Sequence, residues 1–299
     1  MLNCFINSKK ISHTFRNPLM AILVDTSAVE GIAWSNILGQ CYPLEKSYLT
    51  TLYKYSSKHN KGLAEAAKNG HISLVFYFVS KGANAWNWGM NEAGREGHMD
   101  LVKYFVSRGA SRFNSGLYVA AEGGYVEIVK YFVSQGANDW KGGMCWAARG
   151  GHMDLVVYFV SKGANDWIYG MCNAALGGHM DIVQYFVSKG ANDWNSGMYW
   201  AAEGGHMDLV LYFVSHGANN WNVGMRLAAE GGHMGLVKYF VSQGANDWNG
   251  GMRGAAEGGH MGLVMYFVSK GANDWRNSMW WAMSGKNLKI VEFLKSKIN

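Results

Sequence analysis

Along most of the chain, apolar positions recur in one frame. A short stretch such as Met225 to Glu230 places Met225, Ala228 and Ala229 at i, i+3 and i+4, the spacing of one helical face. Gly231-Gly232-His233 interrupts it. A second apolar run follows, with Met234, Leu236, Val237, Tyr239, Phe240 and Val241, and ends at Gly244. No segment alternates with period two, so strands are not expected. The second helix is apolar nearly all round and is expected to be sandwiched between neighbours. Gly244 stands where a helix needs a left-handed residue to end it, a backbone that glycine takes at least cost.

The same frame returns every 27 residues. Its marker is the Ala-Ala pair at 120–121, 147–148, 174–175, 201–202, 228–229 and 255–256, with weaker copies at Ala66-Ala67, Ala93-Gly94 and Ala282-Met283. Nine helix-turn-helix units at a fixed period predict an all-α solenoid, in which each unit packs only on its neighbours. Ser27 to Tyr55 reads as two helices before the array, opened by Ser27 and Glu30 at capping-box spacing and restarted at Pro43. The chain therefore divides into a basic segment 1–26, a divergent helical N-terminal cap 27–62 and an array 63–299. The last unit, 276–299, gains lysines at 289, 295 and 297 and is expected to close the stack with a polar outer face.

Charge is uneven. Residues 1–62 carry seven Lys/Arg against three acids, and 276–299 carry five against one. The array between them holds fifteen against seventeen. A surface tracking nucleic acid would put its cations along the array, so nucleic-acid binding is not expected. Four cysteines, two of them (Cys145 and Cys172) at one position of adjacent units, do not make a disulfide framework; free thiols fit a reducing, cytoplasmic setting. The N-terminal 24 residues lack the apolar length of a secretory signal, a mitochondrial-type transit peptide being the lesser alternative. No stretch reaches the ~20 apolar residues of a membrane span.

The motif Ala-Ala-Xaa-Xaa-Gly-His, then Leu-Val-Xaa-Tyr-Phe-Val-Ser-Xaa-Gly-Ala-Asn, resembles the ankyrin repeat. The unit here is shorter than that family's ~33 residues, and it lacks the threonine-proline-leucine-histidine opening and the residues of the hairpin between units. It is similar to the short, hairpin-less variant found in amoeba-infecting giant viruses and some protists. The resemblance covers roughly residues 60–299. It implies protein–protein binding, a scaffold or a host-interaction factor.

Stacking turns each repeat position into a column. Histidines 71, 98, 152, 179, 206, 233 and 260, with Tyr125 in one place, are expected to hydrogen-bond backbone across units, since neighbours roughly 8–10 Å apart cannot share a metal ion. Tryptophans 86, 140, 167, 194, 221, 248 and 275 could form a platform for single-stranded bases. The aspartate before most of them repels phosphate, so the rings are expected to pack between units. Asp100, Glu127, Asp154, Asp181 and Asp208 open the second helices, where they complement the dipole. No metal-ligand spacing, phosphate loop or nucleophile–base constellation stands out, so no cofactor, metal or catalytic residue is expected and the chain is read as a non-enzyme.

Positions where the copies disagree are free of packing duty. They give Glu92, Val119, Trp146, Asn173, Trp200, Leu227 and Trp281 in one column, Tyr199 beside it, and Arg149 one turn on. In ankyrin-like stacks the first of these columns lies on the concave face, and Trp, Tyr and Arg dominate binding hot spots. These nine are the expected partner-binding residues of a monomeric protein. The competing reading makes the aromatics fillers of gaps between units. A second functional reading recruits ubiquitin-ligase machinery through residues 1–62, although no convincing F-box is present there.

Overall fold

The computed structural model describes residues 50–52, 54–55 and 57–298. The basic segment 1–26 and most of the expected cap lie outside the described residues. Thr50 to Leu52 and Lys54-Tyr55 are helical. From His59 onward the chain forms one unit of its own, and it is all-helical: among the described residues no strand occurs.

Helices come in nine consecutive pairs, from α1 (His59–Lys68) and α2 (Ile72–Ser80) to α17 (Trp275–Ser284) and α18 (Leu288–Lys295). Each first helix packs on its own second helix and on the first helices before and after it. That is the solenoid the 27-residue frame predicts. The array opens at His59 rather than at 63.

A typical unit is α13 (Trp221–Glu230) with α14 (Met234–Ser242). The first helix is longer than its apolar spacing alone suggested, because the tryptophan is its first residue. In five units the preceding aspartate explains the start: Asp139, Asp166, Asp193, Asp247 and Asp274 each accept the backbone N–H three residues on, at 2.8–3.4 Å. These are N-caps, worth about 1 kcal/mol each. Met225, Ala228 and Ala229 are fully buried, as are Val237 and Phe240. The second helix nevertheless keeps a solvent face, contrary to the all-round burial its apolar run suggested. The variable position after Leu-Val is exposed even where it is apolar, as at Val157, Leu211 and Met265.

Two glycine columns set the spacing within and between units. In the fourth position of the first helix, Gly197 lies beneath the Phe213 ring, so a Cβ there would fall within 3.0 Å of ring carbons; the same holds for Gly62/Phe78 through Gly251/Phe267. Helical glycine costs about 1 kcal/mol relative to alanine, and burial of a full phenylalanine offsets it. The ninth unit exchanges both partners, with Ser278 and Leu294 in their place, both buried. The second column is the turn: Gly205 has φ +87°, and the His233 ring of the next unit lies over it. Gly217, where the second helix ends, has φ +108° and open space around it, as the sequence predicts for a left-handed cap.

Candidate partner-binding surface

The histidine column holds successive units together. Nε2 of His98, His152, His179, His206, His233 and His260 lies 2.9–3.1 Å from a backbone carbonyl thirty residues earlier, for example Glu203 O for His233. A carbonyl can only accept, so Nε2 carries the proton. In the last unit Asn287 takes the place and donates Nδ2 to Glu257 O at 2.7 Å. The column is structural, and its units bond backbone as expected. Among the described residues no group of three or more His, Cys, Asp or Glu could hold a metal ion.

A second inter-unit contact was not read from the sequence. The asparagine after the tryptophan reaches forward and brackets the start of the next unit. Asn87 Oδ1 accepts from Ser111 N and Arg112 N at 2.9 Å each, and Asn222 Oδ1 from Asn246 N and Asp247 N at 2.8 and 3.0 Å. Asn60, Asn114, Asn195 and Asn249 do the same. Lys141 and Ile168, in the fourth and fifth units, have no acceptor to offer. The signal was present as a recurring Trp-Asn pair, but its partner lies 24 and 25 residues away.

The tryptophan rings are half-buried. They pack toward the phenylalanine of their own unit, with Trp167 and Phe186 centroids 6.3 Å apart and Trp221 and Phe240 6.5 Å apart. An open base-stacking platform would require bare faces, whereas Arg108 covers Trp86 at 5.2 Å and His216 lies 4.9 Å from Trp194.

The variable columns sit on the first helices. Trp146 stacks on Tyr118 (centroids 6.4 Å, planes 16° apart) and carries the Arg149 guanidinium 5.4 Å from its ring. Glu122 lies between two arginines, 2.7 Å from Arg95 and 3.7 Å from Arg149. Tyr118 donates to Asp139 of the next unit, and burial, then this bond, pushes its pKa up to about 12. Glu92 accepts from Trp88 Nε1 at 3.1 Å, and Asn173 Nδ2 donates to Tyr169 O at 2.9 Å. Trp200 is 36% exposed, while Leu227 and Tyr199 are half-buried, and burial raises the Tyr199 pKa. Trp281 lines a groove of about 280 Å³ with Arg226, Arg253, Gly254 and Glu257. At Gly254 the two first helices approach closely, since a Cβ there would collide with the Arg226 carbonyl oxygen.

One expected contact residue sits differently. Val119 is only 9% exposed, packed near the place a Cβ on Gly94 would occupy. Gly94 stands in the second place of the Ala-Ala pair, and a Cβ there would meet Val119 at an ordinary contact distance of 3.6 Å, so Val119 is buried by packing against that helix and not by the missing methyl. Cys145 and Cys172 are free and buried, and burial pushes each thiol up to about 12.

Burial also raises the pKa of Glu203 and Glu230, and for Glu230 the carboxylates of Glu257 and Glu203 add to it. No helix among the described residues is long and apolar enough to cross a membrane. The chain matches no known protein family, and no curated protein matches it either.

Proposed function

We propose that this protein is a non-enzymatic scaffold that binds a partner protein along the first-helix face, the concave side of ankyrin-like stacks. The observation that carries the reading is Trp146 held between Tyr118 and Arg149, with Arg149 in turn beside Glu122. An aromatic ring fixed in place loses little freedom on binding, which is how a few anchors supply most of an interface's affinity. Trp200 and Trp281 extend the same column, so a partner lying along the stack would meet anchors in several units. Glu92, Asn173, Tyr199 and Leu227 surround them. Val119 supports its neighbours from beneath.

Likeness to the short ankyrin variant of giant viruses adds that the partner is a host protein met in the cytoplasm. A substrate-adaptor role for residues 1–62 is the second reading, and pull-down of ligase subunits by the full chain but not by a form lacking those residues would favour it. Affinity capture with the full chain, against Trp146→Ala/Arg149→Glu/Trp200→Ala, tests the binding face. Partners captured by the parent are expected to fall at least about tenfold with the variant, the loss of one or two hot spots. Equal recovery would remove the face from consideration.

A further inference from the structure

The last unit departs from the other eight where a following unit would lie. Met283 stands in the place of the second alanine of the pair, which is fully buried at Ala229 and Ala256. Lys286 stands in the place of the turn glycine, and Lys295 in the place of a valine. Trp280, Met283 and Leu288 are 59, 57 and 71% exposed. The polar outer face expected of this unit is therefore an apolar tip with a basic rim. At the inner junctions a side chain of the next unit, a histidine ring at most of them and Tyr125 or Asn287 at two, lies within 3.0 Å of where a Cβ on the turn glycine would be, and here that position carries a lysine side chain.

Lys286 is also the only non-glycine residue with positive φ among the described residues, at +59°. A residue with a Cβ is strained there, and glycine, used in all eight other units, would relieve it. The lysine is kept against the preference of its own backbone, which points to a use for its charge.

We propose that this tip docks the protein on an anionic lipid surface. Trp280, Met283 and Leu288 enter the boundary between headgroups and acyl chains, and Lys286, Lys289 and Lys295 meet the lipid charges around them. Two observations favour lipid over other occupants. Residues 276–299 carry five cations against Glu292 alone, so the attraction has one sign. A second copy would set these lysines against their own counterparts. A lipid surface moulds itself to a small wedge, and tryptophan with lysine is the pairing that suits its apolar-to-charged gradient.

Flotation of the full chain with vesicles of phosphatidylcholine, alone or mixed with phosphatidylserine, tests this. Binding is expected with phosphatidylserine only, and to weaken with salt. Trp280→Ser/Leu288→Ser, both exposed and therefore tolerated by the fold, should lower partitioning at least about tenfold. Lys286→Gly should lower it about fivefold, the factor for one basic residue at such a surface, while raising the thermal midpoint. Loss of binding with gain of stability is a pattern that a purely structural lysine would not give. Equal binding to neutral vesicles, or variants that bind like the parent, would overturn the proposal. Capture of an acidic protein by the parent and not the variants, with no vesicle binding, would reassign the tip to a protein partner.

Discussion

The eight inner units and the ninth solve the same packing problem with different residues. Inside, phenylalanine fills the space above a helical glycine, a histidine ring covers the turn glycine of the unit before, and paired alanines thin the helix for close approach. In the ninth unit Leu294 sits against Ser278, Asn287 replaces the histidine, and Met283 and Lys286 replace alanine and glycine. The one compensating pair, Ser278 with Leu294, lies inside the unit, whereas toward the preceding unit Asn287 changes alone and keeps the bond to Glu257 O, and Met283 and Lys286 change singly. What is preserved is each contact, the packing within the unit and the backbone bond to the unit before, rather than the residue that makes it.

The sharpest test transplants the terminal solution inward. Gly197→Ser alone should destabilise by about 3 kcal/mol, since the new side chain meets the Phe213 ring. Adding Phe213→Leu should cost less than the sum of the two single changes, with a coupling of about 1–2 kcal/mol. Urea midpoints of the four proteins measure it, and simple addition would show the Ser278–Leu294 exchange to be incidental.

Next comes a contrast between two left-handed glycines. Gly205→Ala should cost about 2–3 kcal/mol, because strain is joined by collision with the His233 ring. Gly217→Ala meets open space and should cost only the strain, about 1 kcal/mol. Thermal melts that place the two equally would mean the ring moves aside freely. Valine at 217 should do more damage than alanine, as a β-branched residue resists this backbone further.

The smallest expected effect concerns the column that bonds backward. His233→Ala should cost about 1–2 kcal/mol through the carbonyl of Glu203 left without its donor. His233→Asn should recover about half of that, as Asn287 already makes the equivalent bond to Glu257. Failure of asparagine to improve on alanine would show that the ring's contact with Gly205, not its hydrogen bond, is what matters.

How much of this was readable in residues alone follows from distance along the chain. The helix pairs, the left-handed Gly217 and the backbone bond of the histidines follow from local spacing plus strict repetition. The aspartate before most of the tryptophans was visible but was read for its charge, and its capping role depended on where the helix begins. Val119 looked free because its column varies, yet a position can vary and still be packed against a neighbouring helix, as this one is. The lysines of the last unit were legible, whereas the exposure of Trp280, Met283 and Leu288 emerged only once the direction of each side chain was known.

The forward asparagine bracket is missing after two adjacent units, at Lys141 and Ile168. Those two seams rest on packing and one histidine bond each, while the seams on either side have two further bonds. A rod with two soft joints at its middle bends there before it bends anywhere else. Trp146 and Trp200 flank those joints, so on the proposed binding face the spacing between these two rings is set by the seams with the fewest hydrogen bonds.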